Sequence, residues 1–322
     1  ALERRSVAAL GPGLHFDMAD GVFARGCVLS FSSDGRIVPC DEAHACPHFD
    51  CSYLRAFQLT LAVIQGISAL PEMDVLLNAG DCTLDAFAVI PVFTRTGTRW
   101  TNTFALPFEW QLHPGQCQKH LNGAARDAYD LPWEERLPVL IWRGSTSNCR
   151  AERCSIGLAA DGDAEALQVC GVIPFGESRD CTWNSSSWLQ MPRGRLVWLT
   201  RFVSFIDAKF TLSRHLPVEP ALEAFLRSEG LIVDPMSRRE QASYKYVIAI
   251  EGDSAPDRTY WQLFMGSVVL IPDGPWQVMA IADLLEPFVH YVPVRYDLSD
   301  LVERLLWLRQ NDGEAKRIAA NG

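Results

Sequence analysis

Between residues 245 and 308, short apolar runs alternate with stretches whose apolar side chains recur at helical spacing. Residues 245–250 form a run with β-branched members, which predicts a buried strand. The segment 251–257 consists mostly of turn-forming residues, and a helical pattern begins at Arg258. Gly266 follows the last position of that pattern and is typical of a helix end.

The same alternation continues towards the C-terminus. Strands are predicted at 267–271 and 289–294, with helices near 276–285 and from Ser299. Strand, helix, strand, helix, strand in this order is typical of a parallel sheet built from βαβ units. This part of the chain is therefore predicted to be an α/β domain.

A parallel sheet of this kind predicts where a ligand binds. Ligands collect at the carboxyl ends of the strands, where helix N-termini attract anions. Arg258 stands at such a helix start, and its planar guanidinium can bind two phosphate oxygens at once. From the spacing alone, a surface pairing of Arg258 with a carboxylate stays open as the alternative.

The chain before residue 245 shows weaker periodicity. Helices are predicted at 52–67 and 220–226. Strands are predicted at 73–77, 87–93 and 137–142, with a strand-rich stretch at 196–206 and a loop at 94–110.

The length of 322 residues favours two lobes of about 150 residues each. We divide them as an N-terminal lobe, 1–205, and a C-terminal lobe, 206–322, whose last helix is either truncated or returns to the first lobe. The formal net charge of −10 argues against binding to nucleic acid or to an anionic membrane. No apolar run approaches the roughly 18 residues of a transmembrane helix, so no transmembrane segment is predicted.

The cysteines indicate the compartment. All 10 lie within the first 181 residues, and an even, crowded count predicts disulfides in an oxidising lumen. A sequon at Asn184-Ser185-Ser186 agrees with this. The start of the chain shows no signal-peptide pattern, which is expected of a mature or trimmed protein or of one that is not secreted, and the cysteines favour the first. A zinc site is the less favoured alternative for the cluster Cys40, His44, Cys46, His48 and Cys51.

Several short sequence motifs in the second half of the chain resemble those of glycosyltransferase family 90. This family includes protein O-glucosyl- and O-xylosyltransferases with retention tails, and capsule-associated xylosyltransferases. The matching motifs are Tyr244-Lys245-Tyr246, the loop 252–258, Gly266-Ser267-Val268-Val269, Val289-His290-Tyr291-Val292-Pro293-Val294 and Asp297-Leu298-Ser299. The resemblance implies a GT-B-type α/β fold with two Rossmann-like lobes and a cleft between them. It puts the acceptor on the side of the cysteine-rich N-terminal lobe, 1–205, and the nucleotide sugar on the C-terminal lobe, 206–322.

The resemblance also implies a catalytic base. The family's order of an Asn-x-x-Asp turn after a strand, then Pro-Val-Phe, is kept here from Asn78 to Phe93, and it puts Asp81 at the base position. A carboxylate at a strand end can take the proton of an attacking hydroxyl. Taken alone, an Asp after a strand is more often a turn residue. Cys82 departs from the aromatic residue that family members carry there.

The resemblance also implies that the nucleotide-sugar donor is contacted by the motif Trp142-Arg143-Gly144-Ser145 and by an Arg further along the chain. Ser145 carries over directly, and Arg153 is the best match for the Arg, with Arg150 as competitor and a solvated loop as the alternative. The loop supplies the remaining donor-binding residues. They are Asp253, Ser254, Ala255, Pro256, Asp257 and Arg258, and Pro256 replaces a common Ser, removing a hydroxyl and an N–H.

The resemblance therefore implies an inverting transferase that moves xylose or glucose from a UDP-sugar to a hydroxyl of a protein or glycan acceptor. We expect no cofactor and no metal, because cationic side chains and a helix N-terminus can stabilise the leaving diphosphate as a divalent metal does elsewhere. Asp161-Gly162-Asp163 is typical of an acidic turn and not of a metal site. Asp207, in an Asp-Ala motif that the family shares, is expected to support the fold or a contact between the lobes rather than to take part in the chemistry. A monomer in the endoplasmic reticulum or Golgi is predicted, and the alternative is a catalytically inactive family-90-like binding protein, favoured by Pro256 and Cys82.

Overall fold

The computed structural model forms two compact units. The first comprises Ala1–Cys117, Gly171–Arg179 and Trp276–Ala280, and the second comprises the remaining residues. The structure describes residues 26–31, 37–39, 74–78, 92–94, 103–105, 119, 122–123, 131–147, 183–186, 188–211, 218–252, 255–274 and 280–322.

The first unit contains a mixed sheet in the order β2-β1-β3-β4-β5. β1 runs antiparallel to both of its neighbours, β2 and β3, whereas β4 is parallel to both β3 and β5. The strand predicted at 73–77 is confirmed by β3, while the helix predicted at 52–67 lies outside the described residues. The strands are β1 (Gly26–Phe31), β2 (Ile37–Pro39), β3 (Asp74–Asn78), β4 (Val92–Thr94) and β5 (Thr103–Ala105), the last within a segment predicted to be a loop.

The second unit contains a five-stranded sheet in the order β10-β9-β8-β6-β7, and every neighbouring pair in it is parallel. The α/β parallel sheet predicted from the alternating pattern is therefore confirmed. The two Rossmann-like lobes with a cleft between them stay a prediction. The strands are β6 (Leu137–Gly144), β7 (Ile206–Phe210), β8 (Tyr244–Ile248), β9 (Val268–Pro272) and β10 (Val292–Val294).

Helices connect these strands. The prediction of a strand-rich stretch at 196–206 is wrong in its first half, because a helix covers these residues up to Leu199 and β7 begins only at Ile206. The apolar run of this helix imitates a strand, but Pro192 at its first position has a backbone angle suited to a helix start. The helices are α1 (Pro192–Leu199), α2 (Pro220–Ser228), α3 (Arg238–Gln241), α4 (Arg258–Leu263), α5 (Leu301–Gln310) and α6 (Asp312–Asn321).

The strand order contains a reversal. The chain passes from β6 outward to β7 on one side, then returns to β8 on the other side and continues to β9 and β10. β6 thus lies between β7 and β8, although the division at residue 205 put it in the N-terminal lobe. Its hydrogen bonds run to both neighbours, so as a structural element it belongs with the C-terminal strands. The assignment of acceptor and donor to the two lobes stays a prediction.

Aromatic side chains fill one side of this sheet. Trp142 on β6 and Trp183 both meet the ring of Phe210 on β7 edge to face, with centroids 5.9 and 5.3 Å away. All three side chains are almost completely buried. Edge-to-face pairs add about 0.5–1.5 kcal/mol to the burial of their area, so they fix β6 and β7 firmly against each other.

A polar contact fastens the C-terminal helix α6 to the same unit. Asp312 accepts hydrogen bonds from Lys245 Nζ at 2.7 Å and from Trp133 Nε1 at 3.0 Å. Lys245 also lies over the Trp133 ring, 4.8 Å from its centroid. Partial burial by itself would raise the pKa of Asp312, but these hydrogen bonds and the charges of Lys245 and Lys316 together lower it below its ordinary value of 3.8.

The lowered pKa predicts how the stability of this contact depends on pH. A carboxyl with a depressed folded-state pKa stabilises above its ordinary value of 3.8 and loses that stabilisation as pH falls through the folded pKa. Asp312→Asn should therefore lower the free energy of unfolding near neutral pH by up to about 1 kcal/mol, since the group is partly exposed. Urea unfolding should show this gap closing in acid. Asp283→Asn, at an exposed position, should show no gap, and a gap for Asp312→Asn that persists in acid would contradict the assignment.

Candidate functional site at the strand ends

The reversal of strand order creates a distinct place in the sheet. The carboxyl ends of β6 and β8 lie next to each other, and the chain leaves them towards opposite sides of the sheet, from β6 to β7 and from β8 to β9. Ligands of open parallel sheets bind at such a switch point. Residues 145–147 follow β6 and residues 249–252 follow β8, so these two segments form the base of the candidate site.

Arg193, in the first turn of α1, joins the two segments. Its side chain is buried, and its Nε donates to the carbonyl of Glu251 at 2.6 Å while Nη1 donates to the carbonyl of Ser145 at 3.0 Å. Nη1 also donates to Ser147 Oγ, and Nη2 to the carbonyl of Ile250 at 3.4 Å. A single guanidinium therefore ties the end of β6 to the end of β8. The sequence reasoning did not select Arg193.

A second guanidinium lies close by. Arg258 donates from Nη1 to the carbonyl of Arg143 at 2.7 Å, and its charge centre lies 5.8 Å from the ring centroid of Trp142. Arg193 lies 5.6 Å from the same centroid. Both distances are within the range of cation–π attraction. The buried Trp142 ring is thus in contact range of two guanidinium groups at the end of β6.

The electrostatics of this pair favour an anion. Burial lowers the pKa of the Arg258 guanidinium, while the Asp257 carboxylate acts in the opposite direction. A lowered pKa means that the surroundings disfavour the positive charge. A negatively charged ligand that reaches both guanidiniums would offset this penalty, and Arg is well suited to phosphate oxygens.

Two buried polar atoms lie at the same end of β6. Over the described ranges, Trp142 Nε1 and Thr146 Oγ1 have no hydrogen-bond partner. Unpartnered polar atoms are uncommon in protein interiors. Their position adds to the polar character of the strand end at the switch point.

Arg143 has a different role from its two neighbours. Its Nη2 pairs with Asp207 Oδ2 at 2.8 Å, and its Nη1 donates to the carbonyls of Asp207 and Trp142 at 2.8 and 2.9 Å. This pair links β6 to β7 beneath the site. The expectation that Asp207 supports the fold is confirmed.

The predicted donor-binding residues are placed as follows. Ser145 is half-buried and its carbonyl accepts from Arg193, while Arg258 reaches the carbonyl of Arg143, so the structure brings Ser145 and Arg258 to the same strand end. In the loop, Ala255 is buried, Pro256 is half-buried and Asp257 is exposed. Asp81, Arg153, Asp253 and Ser254 lie outside the described residues, so their roles stay predictions.

Helix α4 contributes less positive potential to the candidate site than its sequence pattern suggests. It has only six residues, from Arg258 to Leu263, and no side chain caps its N-terminus. Helix dipoles act through several aligned turns, so a helix this short has a weak one. Gly266, with a φ of 65°, ends this connection as predicted. The positive potential of the site therefore comes mainly from Arg193 and Arg258.

Gly252 permits the close approach of Arg193. A β-carbon at this position would lie 2.5 Å from Ser147 Oγ and 2.6 Å from Arg193 Nη2. Both distances are too short for a real contact, so any side chain here would displace the guanidinium. Glycine is needed at this strand end because of packing.

This packing predicts the effect of Gly252→Ala. The methyl group should push Arg193 away from the β6 end and lower the free energy of unfolding by about 1–3 kcal/mol, as overpacking does. Gly313→Ala is the matched control, because nothing lies within 4 Å of its added β-carbon. Denaturant unfolding of both variants tests this, and a Gly252→Ala protein as stable as the parent would contradict the packing.

Within the part of the chain that the structure describes, no three His, Cys, Asp or Glu side chains are arranged to hold a metal ion. The prediction that no metal is needed stays a prediction. Among the described helices, none has the length and apolar character required to cross a membrane.

Comparison with known proteins identifies relatives. The chain is 39% identical over 266 residues to "Protein O-glucosyltransferase 2" of Danio rerio, covering 79% of this chain and 43% of that protein. It is 23% identical to "Protein O-glucosyltransferase 1" of Rattus norvegicus, covering 81% and 58%. It is 28% identical to "Uncharacterized protein 179R" of Invertebrate iridescent virus 6, covering 74% and 20%. The chain thus spans less than two thirds of each of these relatives.

Solved structures show only a distant likeness. The C-terminal domain of a glycosyl transferase group 1 family protein from Francisella tularensis has a TM-score of 0.30 and 10% identity, covering 62% of this chain and 88% of that one. The CMP-Kdo binding domain of WaaA from Acinetobacter baumannii has a TM-score of 0.28 and 10% identity, covering 63% and 96%. At these scores neither structure bears on the fold or the site.

The family model supplies the assignment. The model "Glycosyl transferase family 90" matches residues 193–322, which begin at Arg193 and include strands β7 to β10. The resemblance found in residues 244–299 is thereby confirmed. This match assigns residues 193–322 to glycosyltransferase family 90, and the O-glucosyltransferase relatives agree with it.

Proposed function

We propose that the chain transfers glucose or xylose from a UDP-sugar to a hydroxyl of a protein or glycan acceptor. The observation that carries this proposal is the pair of guanidiniums, Arg193 and Arg258, over one tryptophan at the switch point of a parallel sheet. A sugar nucleotide is an anion with the charge and polar groups that this place can bind. The names of the relatives, protein O-glucosyltransferases, support glucose as the sugar and a protein hydroxyl as acceptor.

The diphosphate of the donor binds between the strand ends. Arg193 and Arg258 bind its oxygens, and Ser145 with the loop 253–257 contacts the nucleotide sugar. As the bond between the sugar and UDP breaks, negative charge grows on the leaving diphosphate. Cationic groups fixed in advance at that position stabilise the transition state, and this is commonly the largest catalytic contribution.

The acceptor is activated by Asp81. Its carboxylate takes the proton of the acceptor hydroxyl while that oxygen attacks the anomeric carbon from the face opposite UDP. One carbon–oxygen bond forms as the other breaks, UDP leaves with the bonding electrons, and the anomeric configuration is inverted. The two guanidiniums supply the charge that a divalent metal supplies elsewhere, so the reaction proceeds without metal.

We place the enzyme in the lumen of the secretory pathway, in the endoplasmic reticulum or Golgi, as a monomer. Ten cysteines within the first 181 residues and the sequon at Asn184 support that location. The cysteines that would form these disulfides all precede β8 to β10 in the sequence.

A donor screen tests the proposal. The protein is incubated with UDP-glucose or UDP-xylose and a mixture of folded protein and glycan acceptors, with and without a chelator, and released UDP is measured. UDP release that depends on acceptor and resists the chelator is the expected result. Nucleotide binding without turnover under any acceptor would favour the alternative, a non-catalytic binding protein, for which the Pro256 substitution in the donor loop is the supporting observation.

The position of Arg258 predicts the effect of removing it. Arg258→Ala should weaken UDP binding by about 1.5–3 kcal/mol, the free energy of a charge-assisted hydrogen bond. Calorimetric titration with UDP measures this. Arg227→Ala is the control, because Arg227 is exposed on α2 and pairs with Glu223 there. Equal UDP affinity of the Arg258→Ala protein and the parent would place the nucleotide elsewhere.

A further inference from the structure

The sequon Asn184-Ser185-Ser186 forms a turn at the surface of the second unit. Trp183, directly before it, is buried and forms a bridge with Val218, whereas Ser185 and Ser186 are exposed. Asn184 itself is half-buried. The chain thus emerges from the core at Trp183 and presents the three sequon residues at its surface.

The third residue of the sequon engages the first. Ser186 Oγ donates to Asn184 Oδ1 at 2.7 Å, and the Ser186 backbone N–H donates to the same oxygen at 3.0 Å. Asparagine often makes such local bonds in turns. Here these two bonds hold Asn184 Oδ1 on the side of Ser186. The hydroxyl that an N-glycosylation sequon requires at its third position is therefore the hydroxyl that binds the Asn184 side-chain amide.

The turn is fastened to its surroundings through other atoms. Glu219 accepts from Ser185 N at 2.7 Å and from Ser185 Oγ at 2.9 Å, and its own N–H donates to the carbonyl of Trp183 at 2.7 Å. Trp188 N donates to the Asn184 carbonyl at 3.2 Å. These hydrogen bonds fix the position of the turn.

We propose that Asn184 carries an N-linked glycan. The step is a group transfer from a lipid-diphosphate-linked oligosaccharide, supplied with its transferase in the lumen. A bond forms between Asn184 Nδ2 and the anomeric carbon of the first sugar, the bond from that carbon to the lipid diphosphate breaks, and the amide nitrogen gives up one proton. The proposal rests on the proposed passage through the secretory lumen, and it is independent of the donor site at the strand ends.

The two serines have separable roles in this geometry. Ser186 is the residue whose hydroxyl contacts the Asn184 amide, whereas the hydroxyl of Ser185 contacts only Glu219 among the bonds described above. Modification should therefore require a hydroxyl at position 186 and tolerate its loss at position 185. This difference gives a matched pair of variants one residue apart.

The experiment uses the full chain, secreted from eukaryotic cells behind a cleavable signal peptide and a tag that has a sequon of its own. Molecules with a glycosylated tag are selected by lectin, so every molecule measured has passed through the lumen. Mass spectrometry of the tryptic peptide between Arg179 and Arg193 then shows whether Asn184 carries sugar, and whether an N-glycan amidase converts it to aspartate. The variants are Asn184→Gln, Ser186→Ala, Ser186→Thr and Ser185→Ala.

The expected result is a glycan in the parent, in Ser185→Ala and in Ser186→Thr, and its loss in Asn184→Gln and Ser186→Ala. Unmodified Asn184 in parent molecules with a glycosylated tag would overturn the proposal, as would equal occupancy in Ser186→Ala and the parent. UDP release is assayed separately on the same proteins. Failure at Asn184 would leave the transferase proposal intact, and failure of UDP release would leave the glycan proposal intact.

Discussion

Asp81→Asn is expected to lower turnover by about two to four orders of magnitude, the usual contribution of a positioned general base, and to leave UDP affinity nearly unchanged. Asparagine has the shape of aspartate but cannot take the proton of the acceptor hydroxyl. UDP release with saturating donor measures the first effect, and calorimetric titration with UDP measures the second. The separation of the two effects follows from the roles proposed, since Asp81 acts on the acceptor and the guanidiniums act on the donor.

Asp85→Asn is the matched control for this variant, because Asp85 is a nearby carboxylate in the same segment to which no role is assigned. It should keep turnover close to that of the parent. Turnover of the Asp81→Asn protein within about threefold of the parent, far from the loss expected of a base, would remove Asp81 from the mechanism. A parallel loss of UDP affinity would instead indicate a misfolded protein.

Periodicity predicted the sheet well where each element has a clear local pattern. β8, α4 and β9 begin within one residue of the predicted positions, because apolar runs and the turn at 251–257 mark them directly. The stretch 196–206 misled the prediction, since Leu196, Val197 and Trp198 also suit a strand. There the helix follows from Pro192 and from packing against β7, and packing between elements has no signature in a single segment.

The sequence predicted only part of the candidate site, because some of its contacts join residues that are far apart along the chain. Ser145 and Arg258 were found because each ends or follows a recognisable strand. Arg193 was missed because the atoms it binds lie 46 to 58 residues away along the chain. Arg153 matches the downstream Arg of the family pattern and is close to Ser145 in sequence, and its role stays a prediction. Arg193 is distant in sequence, and the parallel sheet brings it to the same strand ends. Topology decides this contact, and the strand order was not available from the sequence.

The same topology changes the physical basis of anion binding. The sequence argument relied on the N-terminus of the helix at Arg258, yet α4 is a single short helix without a capping side chain. The structure favours a site built on side-chain charge, with Trp142 contacting both Arg193 and Arg258. Binding should therefore depend more on the identity of these two side chains than on the residues of the loop before α4. Replacing Pro256, which lacks an N–H, should matter less than replacing either arginine.

Arg193 should be the most sensitive of these positions, because it binds both strand ends as well as the proposed diphosphate. Arg193→Met removes the charged donor from the carbonyls of Ser145 and Glu251, and each buried acceptor left unsatisfied costs about 1–3 kcal/mol. We expect a fall of at least about 2 kcal/mol in the free energy of unfolding and a loss of UDP binding. Denaturant unfolding and calorimetric titration measure the two effects.

Arg193→Lys separates charge from geometry. Lysine keeps the positive charge but lacks the planar fork that reaches Ser145 and Glu251 at once. UDP affinity should fall by about 1.5 kcal/mol, the lower end of a charge-assisted bond, while the protein stays folded. Arg201→Lys is the matched control, because Arg201 follows the same helix and pairs at the surface with Glu229 and the Trp198 ring. If Arg193→Lys bound UDP as tightly as the parent in a folded protein, Arg193 would be a structural link between β6 and β8 and no part of the donor site.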